Sequence, residues 1–308
     1  MGRRRKGEKI DGWMIIDKPR GMTSTAVVTA VRRRTGAAKV GHAGTLDPLA
    51  TGVLPLAFGE ATKTLPYVVD ADKSYRFTAK WGEARTTDDA EGTVTATNTM
   101  RPTRAAIEAM LPSFIGVIDQ VPPAYSAIKV DGERAYDLAR ADVAVELPPR
   151  PVLIRSIELT DIPDPDHAVF VVTCGKGAYM RSLARDFAAA LGTVGHIVEL
   201  RRLTVGPFTE DQAIPLDSQD DFGHSAPLLE YLLAVETALD DIPALAVTES
   251  EVARIQRGQA VPVVRTADRE LIGNLNDGAT ICALSDGKLV ALTRLDGRQI
   301  RPVRVLNL

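Results

Sequence analysis

Hydrophobic and polar positions alternate most cleanly between Lys73 and Trp81, with Tyr75, Phe77, Ala79 and Trp81 on one face and Ser74, Arg76, Thr78 and Lys80 on the other. This period of two predicts a strand with one side in a core, and it places Tyr75 as a core-facing aromatic at the strand's leading end. Val53-Leu54-Pro55-Leu56-Ala57 is apolar throughout and reads as a short buried strand, and Val169 to Thr173 reads as another. Helical spacing appears in two places. Ala26, Val27, Ala30 and Val31 form an apolar stripe with Ser24 as N-cap and Gly36 as the terminating turn, and Leu183, Phe187 and Leu191 recur at i, i+4 and i+8 before Gly192. Thr103 to Leu111 reads as a further helix after Pro102, and an Asp-Asp-Ala-Glu-Gly turn leads into Thr93–Thr97 as a predicted hairpin.

Beyond about residue 215 the pattern changes. Asp217 to Asp221 with Gly223 is polar and acidic, and Leu228 to Leu239 reads as a connecting helix. A second, smaller unit starts near Ile242, giving expected domains at 1–240 and 241–308. In it, Thr248-Glu249-Ser250-Glu251 is a capping box for a helix that Gly258 ends. Asp286-Gly287 and Asp296-Gly297 then punctuate three strands, Ile281 to Leu284, Leu289 to Leu295 and Val303 to Leu306, as a hairpin series. The fold class is α+β, with no internal repeat or low-complexity tract.

Composition narrows the class of molecule. With 308 residues and 45% hydrophobic content the chain fills a sizeable core. It contains no apolar run of about 18 residues, and its basic start lacks a signal-peptide core, so the expected compartment is the cytoplasm and no membrane is involved. Cys174 and Cys282 are too few and too far apart for a disulfide framework or a thiolate zinc site. His42, His167, His196 and His224 show no metal-ligand spacing, and no glycine-rich nucleotide loop follows a strand, so no metal or cofactor is expected. The net charge of −3 hides an asymmetry: residues 1–40 hold eleven Lys or Arg against three acids, a local +8 that leaves −11 for the remainder. Such a cluster suits a polyanion, although Arg32, Arg33 and Arg34 equally suit the negative end of a helix dipole.

The densest chemistry lies in Gly41-His42-Ala43-Gly44-Thr45-Leu46-Asp47-Pro48-Leu49-Ala50-Thr51-Gly52. Pro48 biases Asp47 away from the helical region, and the flanking glycines place the acid on an irregular loop. From residue types alone, Asp47 serves equally as a reactive carboxylate or as the cap of a surface turn. Arg181 falls in the first turn of the helix that follows Gly175 and Gly177, where the dipole disfavours a cation, so it calls for a carboxylate or phosphate partner.

GHAGTLDPLATGVLPL resembles the signature of the TruB family of tRNA pseudouridine synthases. Further blocks recur in the family's order: Asp17-Lys18-Pro19-Arg20-Gly21-Met22-Thr23-Ser24, Lys73-Ser74-Tyr75-Arg76-Phe77, Pro122-Pro123-Ala124-Tyr125-Ser126-Ala127-Ile128-Lys129, Lys176-Gly177-Ala178-Tyr179-Met180-Arg181-Ser182-Leu183 and Leu200-Arg201-Arg202-Leu203. The match spans roughly 10 to 215 and thins beyond. Ala178, Met180 and Phe187 depart from the usual Thr, Ile and Leu without removing a charged or nucleophilic group.

The resemblance implies a mixed, largely antiparallel catalytic domain with flanking helices and a small β-rich PUA-like C-terminal RNA-binding domain. It implies isomerisation of uridine 55 in the T stem-loop of tRNA, by a monomer that needs no protein partner. Asp47, Tyr75 and Arg181 become the catalytic set, with Arg181 paired to Asp47. His42, Tyr75, Tyr179, Leu200, Lys18 and Arg202 become substrate-binding residues. For Tyr75 the alternative is simple packing, and for His42 a surface hydrogen bond. Two other functional classes remain open: a noncatalytic RNA-binding protein, and a glycosidic-bond hydrolase, which commonly needs a second carboxylate that the sequence does not place beside Asp47.

Overall fold

The computed structural model describes residues 7–126, 129–130, 133–134, 147–216 and 226–308. The basic Arg3–Lys6 stretch, Ala127 and Ile128, the acidic run at 217–221, Gly223 and His224 lie outside them. Ten strands among the described residues form one mixed sheet. Its main path runs Ile214–Pro215, Gly12–Lys18, Thr51–Phe58, Gly195–Val205, Lys73–Trp81, His167–Cys174, Arg150–Asp164 and Gly116–Gln120. Most neighbours are antiparallel. The exceptions are Ile16 and Asp17 against Ile214 and Pro215, and Thr51 and Gly52 against Arg201 and Arg202.

Alternation in Lys73–Trp81 gives the sheet its two sides. Phe77, Ala79 and Trp81 are buried, Arg76 is exposed, and Tyr75 is half-buried at the leading end. The Met180–Ala190 helix covers the apolar side with Leu183, Ala184, Phe187 and Ala188, and the Phe187 ring meets Phe170 at 5.2 Å and Phe114 at 4.8 Å. Leu183 and Phe187 each contribute about 1.5–3 kcal/mol when withdrawn from water, which fixes the helix axis and hence the direction of its first turn. Leu191, predicted as the third residue of the stripe, is the half-buried C-cap, with Gly192 at φ 75° behind it.

Strand polarity gathers one end of the sheet into a site. Thr51–Phe58 and Lys73–Trp81 begin there, while His167–Cys174 and Gly195–Val205 end there, with Cys174 opposite Lys73 and Arg202 opposite Tyr75. The 43–50 loop precedes the first of these strands and the Met180–Ala190 helix follows the third.

Two predicted elements differ. The N-cap of the Ser24–Thr35 helix is Thr23, whose hydroxyl accepts from the Ala26 amide; Ser24 is buried one position later and turned to the 43–50 loop. Leu228 to Leu239 is not one helix. A turn of helix at Ala226–Leu229 gives way to a bridge in which Leu233 exchanges both backbone hydrogen bonds with Trp13, and Val235–Leu239 is a 3-10 turn. The buried Trp13 at the sheet edge supplies hydrogen-bond partners that a continuous helix would have kept to itself.

The second sheet, of five strands, lies within 244–305 and contains the expected hairpins, with Asp286 and Gly287 both at positive φ. The capping box forms, Thr248 accepting from the Glu251 amide and Glu251 from the Thr248 amide. One side of this sheet carries its own core, including Ile255, Ile281, Ala291 and Ile300. The other side, with Cys282, Leu289 and Leu292, packs on Trp13, Ala57 and Phe208 of the large sheet and on Val235 of the 3-10 turn. Among the described residues no helix is long and apolar enough to cross a membrane.

Candidate active site

Apolar anchors shape the loop that carries Asp47. Leu46, Leu49 and Ala50 are 4%, 2% and 0% exposed, so the chain must turn between them and the intervening Asp47 side chain is left one-third exposed. Buried polar groups answer the loop's backbone. The Ser24 hydroxyl donates to the Leu46 carbonyl at 3.2 Å and accepts from its amide at 2.8 Å. The Lys18 ammonium donates to the carbonyls of Pro19, Met22 and Pro48 at 2.9, 2.7 and 3.3 Å. Arg202 donates to Val53 O at 2.8 Å and Gly44 O at 3.2 Å, and lies beside the Tyr75 phenol. Gly52 closes the frame: its φ is +100°, and a Cβ there would sit 2.2 Å from the Arg202 carbonyl.

Arg181 is 4% exposed and directs its nitrogens to three chain segments. Nε donates to Asp47 Oδ2 at 2.9 Å, Nη1 to Thr87 O at 3.0 Å and Nη2 to Tyr125 O at 2.9 Å. The anionic partner that its place near a helix start demands is therefore Asp47. Among the described residues Asp47 Oδ1 has no hydrogen-bond partner, so the carboxylate has one oxygen held and one available on a half-open side.

Burial tunes the groups around it. It depresses Lys18 to about 8 despite the opposing pull of Asp47, and the ammonium is 0% exposed. Burial also lifts the Tyr75 and Tyr179 phenols above their ordinary range, with the Asp47 charge acting in the same direction on both. His42 is shifted towards the neutral form by burial and by Arg202, and its Nδ1 is buried with no partner among the described residues.

The structure thus brings Arg181, Tyr75, Tyr179 and Lys18 within electrostatic reach of Asp47. Tyr179 caps the helix, its amide and carbonyl both bonded to the Gln120 side chain. Three of the residues expected to touch substrate are turned into the protein. Lys18 and Arg202 direct their donors inward to backbone carbonyls, and Leu200, 8% exposed, packs in the main core opposite Phe77. Three residues were missed by sequence reasoning. Asp89 stands 3.8 Å from Arg181 Nε, Asp88 pairs with Arg185 at 2.7 Å, and Gln120 clasps Tyr179. The two adjacent acids in Thr-Thr-Asp-Asp were the available signal, and they read only as a turn.

Asp89 supplies the second carboxylate that the hydrolase reading lacked, but it is 6% exposed and bonded to the Thr87 hydroxyl and, at 3.0 Å, the Glu91 amide. Both bonds fall on Oδ1, and Oδ2 faces the buried Arg181 at 3.8 Å, so the group is turned into the protein and does not suit an acid that must reach substrate.

A model of the TruB family pseudouridylate synthase N-terminal domain matches residues 32–180, and one of the tRNA pseudouridylate synthase B C-terminal domain matches 181–240. The chain is similar to the tRNA pseudouridine synthase B of Rhodospirillum rubrum, at 57% identity over all of both chains, and to that of Caulobacter vibrioides at 52%, again over all of both. Among solved structures, a chain of a Cbf5-Nop10-Gar1 complex superposes with a TM-score of 0.70 at 26% identity, covering 96% of this chain and 84% of that one. These matches run through both sheets and through the loop, helix and strand that frame Asp47, and the chain belongs to the TruB family of pseudouridylate synthases, which are isomerases.

Proposed function

We propose that this enzyme converts uridine 55 in the T-arm of tRNA to pseudouridine, with Asp47 as the group that starts the reaction. The observation that carries this reading is the half-open Asp47 carboxylate, one oxygen fixed by a buried arginine and the other available. The tRNA assignment rests on the names of the relatives, and the position on the family resemblance. The isomerisation breaks the N1–C1′ bond, forms C5–C1′, releases the C5 proton and returns a proton to N1, so it consumes no electrons and no second substrate. Asp47 begins it by attack on the nucleotide or by taking the C2′ proton. The adjacent Arg181 guanidinium, 2.9 Å away, gives the carboxylate a fixed counter-charge and a fixed orientation when RNA excludes water.

The target uridine must leave its stack, at a cost of a few kcal/mol. Tyr75 offers a ring at the strand end and Tyr179 a second at the helix start, while the half-buried His42 ring lies against Gly44 at the entry to the loop. Lys18 and Arg202 support binding indirectly by holding the loop. Leu200, beside Phe77 on the strand next to that of Tyr75, supplies part of the apolar floor, and the enzyme acts alone on its RNA.

Release of tritium from C5-labelled uridine in an unmodified tRNA transcript tests the reaction. Release without base loss, at a single uridine in the T-arm, is expected. Binding without release returns the molecule to the noncatalytic RNA-binding class, and release of free uracil to the hydrolases.

A further inference from the structure

Arg181 and Arg185 lie four residues apart on the Met180–Ala190 helix, so they project from one face a turn apart. They reach for the same two segments. Arg181 bonds Thr87 O on one side and Tyr125 O on the other. Arg185 donates from Nη1 to Asp88 Oδ2 at 2.7 Å and from Nη2 to Val121 O at 2.8 Å, and its Nε donates to Asp186 Oδ1 at 3.0 Å. Between the arginines, the Ser182 hydroxyl donates to Val121 O at 2.8 Å, and Gln120 holds Tyr179 through two bonds. The first turns of the helix are therefore tied to a turn at 86–92 and to a segment at 120–125.

The turn has little freedom of its own. Asp88 sits at φ 57°, a left-handed conformation that costs an L-residue about 1 kcal/mol or more, and its carbonyl accepts from the Ile197 amide at 3.1 Å. Thr87, whose carbonyl aims Arg181 Nη1, is the preceding residue. Without Arg185, the Asp88 carboxylate would stand only 15% exposed with no counter-charge in contact, and Val121 O would lose one of two donors.

We propose that Arg185 is a positioning residue for the isomerisation: by fixing Asp88 and Val121 it holds the Thr87 and Tyr125 carbonyls where they orient Arg181, and Arg181 in turn orients Asp47. This rests on Asp47 as the initiating group. The arginine pair works as two parallel clamps, and only the inner one touches the reacting carboxylate. Misplacement of a catalytic group by about 1 Å is enough to lower a rate by roughly a hundredfold, so a remote tie matters without contributing to RNA contact.

The test is single-turnover pseudouridine formation at saturating enzyme, with tRNA affinity and melting temperature measured on the same full-length variants. Arg185→Ala is expected to lower the rate about tenfold or more while affinity stays within about threefold. Asp88→Asn keeps an acceptor for Arg185 and tolerates positive φ, so its rate is expected to stay within about threefold of the parent. Asp88→Ala alone should also lower the rate, and the Arg185→Ala/Asp88→Ala double variant should fall little further than the more affected single, because both removals break one tie. Should Arg185→Ala melt near the assay temperature, Arg185→Gln measured well below its own melt replaces it. An Arg185→Ala rate within about twofold of the parent, a loss explained by weaker tRNA binding, or a double variant equal to the product of the singles would overturn the proposal. Asp47→Asn run in parallel separates the two readings: if it retains turnover, the Asp47 assignment fails, whereas an inactive Asp47→Asn beside an unaffected Arg185→Ala removes Arg185 alone.

Discussion

The two ends of this molecule treat positive charge in opposite ways. Around the 43–50 loop, Lys18, Arg181 and Arg202 are 0%, 4% and 1% exposed and each answers carbonyls or a carboxylate of the loop and its neighbours. In the 244–305 sheet every Lys and Arg is exposed, and the buried residues are apolar apart from Thr293. A buried cation is expensive unless its partners are complete, so it persists where geometry rather than stability is under selection. The second sheet is built as a fold should be for stability alone. The first region accepts a less favourable arrangement that holds an irregular loop rigid.

The largest effect expected from that contrast is chemical. Asp47→Asn keeps the side chain's shape but not its nucleophilicity, so turnover should fall by more than about a thousandfold while tRNA affinity stays within a few-fold. Rapid-mixing kinetics with filter binding separates the two quantities, and residual turnover above that level removes Asp47 as the initiating group.

Stability provides the next test. Arg202→Met leaves the Val53 and Gly44 carbonyls without a side-chain donor and should destabilise the protein by about 2–4 kcal/mol. Arg294→Met, at an exposed position of the second sheet, should shift stability by no more than about 0.5 kcal/mol. Equal shifts in chemical denaturation would erase the distinction between the two regions.

A third test uses pH. Lys18 has its pKa depressed to about 8 from 10.5, so between those values the unfolded chain holds a proton that the folded one has released. Stability contributed through Lys18 therefore rises as pH climbs from about 8 towards 10.5, the reverse of a paired surface lysine. Activity should move the other way: a neutral amine has two N–H groups for three carbonyls and no attraction for Asp47, giving an alkaline limb with its midpoint near 8 that Lys18→Arg removes. A limb that survives in Lys18→Arg belongs to another group.

The smallest effect concerns exposed cations. Arg33→Ala, at the basic end of the Ser24–Thr35 helix, should reduce the slope of log affinity against log salt by about one if it meets a phosphate, with little change in melting temperature. An unchanged slope assigns it to the helix dipole.

What could be read in the chain follows the same division. The second sheet's turns and capping box were legible because Asp-Gly and Thr-x-x-Glu act locally, within a few residues. The strand at 73–81 was legible because its alternation survives burial on one side. Ser24 was misread as the cap because a hydroxyl one position past Thr23 is locally equivalent; its actual partner, Leu46, is set by tertiary packing. Lys18 and Arg202 were assigned to substrate binding through the family resemblance, and their burial against backbone carbonyls was not legible because a lone cation in sequence carries no record of it. Asp89 was passed over for the converse reason, since its contact with Arg181 joins residues far apart in the chain.

Arg202 also fixes when the active site can exist. Its bonds to Val53 and Gly44 join residues 149 and 158 positions apart, and the Gly52–Arg202 strand contact makes the same leap. The ribosome delivers the loop early and the residue that locks it some 150 residues later, at about 5–20 residues per second. During that interval of roughly ten seconds or more the loop has its sequence but not its shape, so nascent chains ending before Arg202 should be inert even with Asp47 already outside the tunnel. Isomerase activity is thereby a property of the finished sheet, gained in one step late in synthesis.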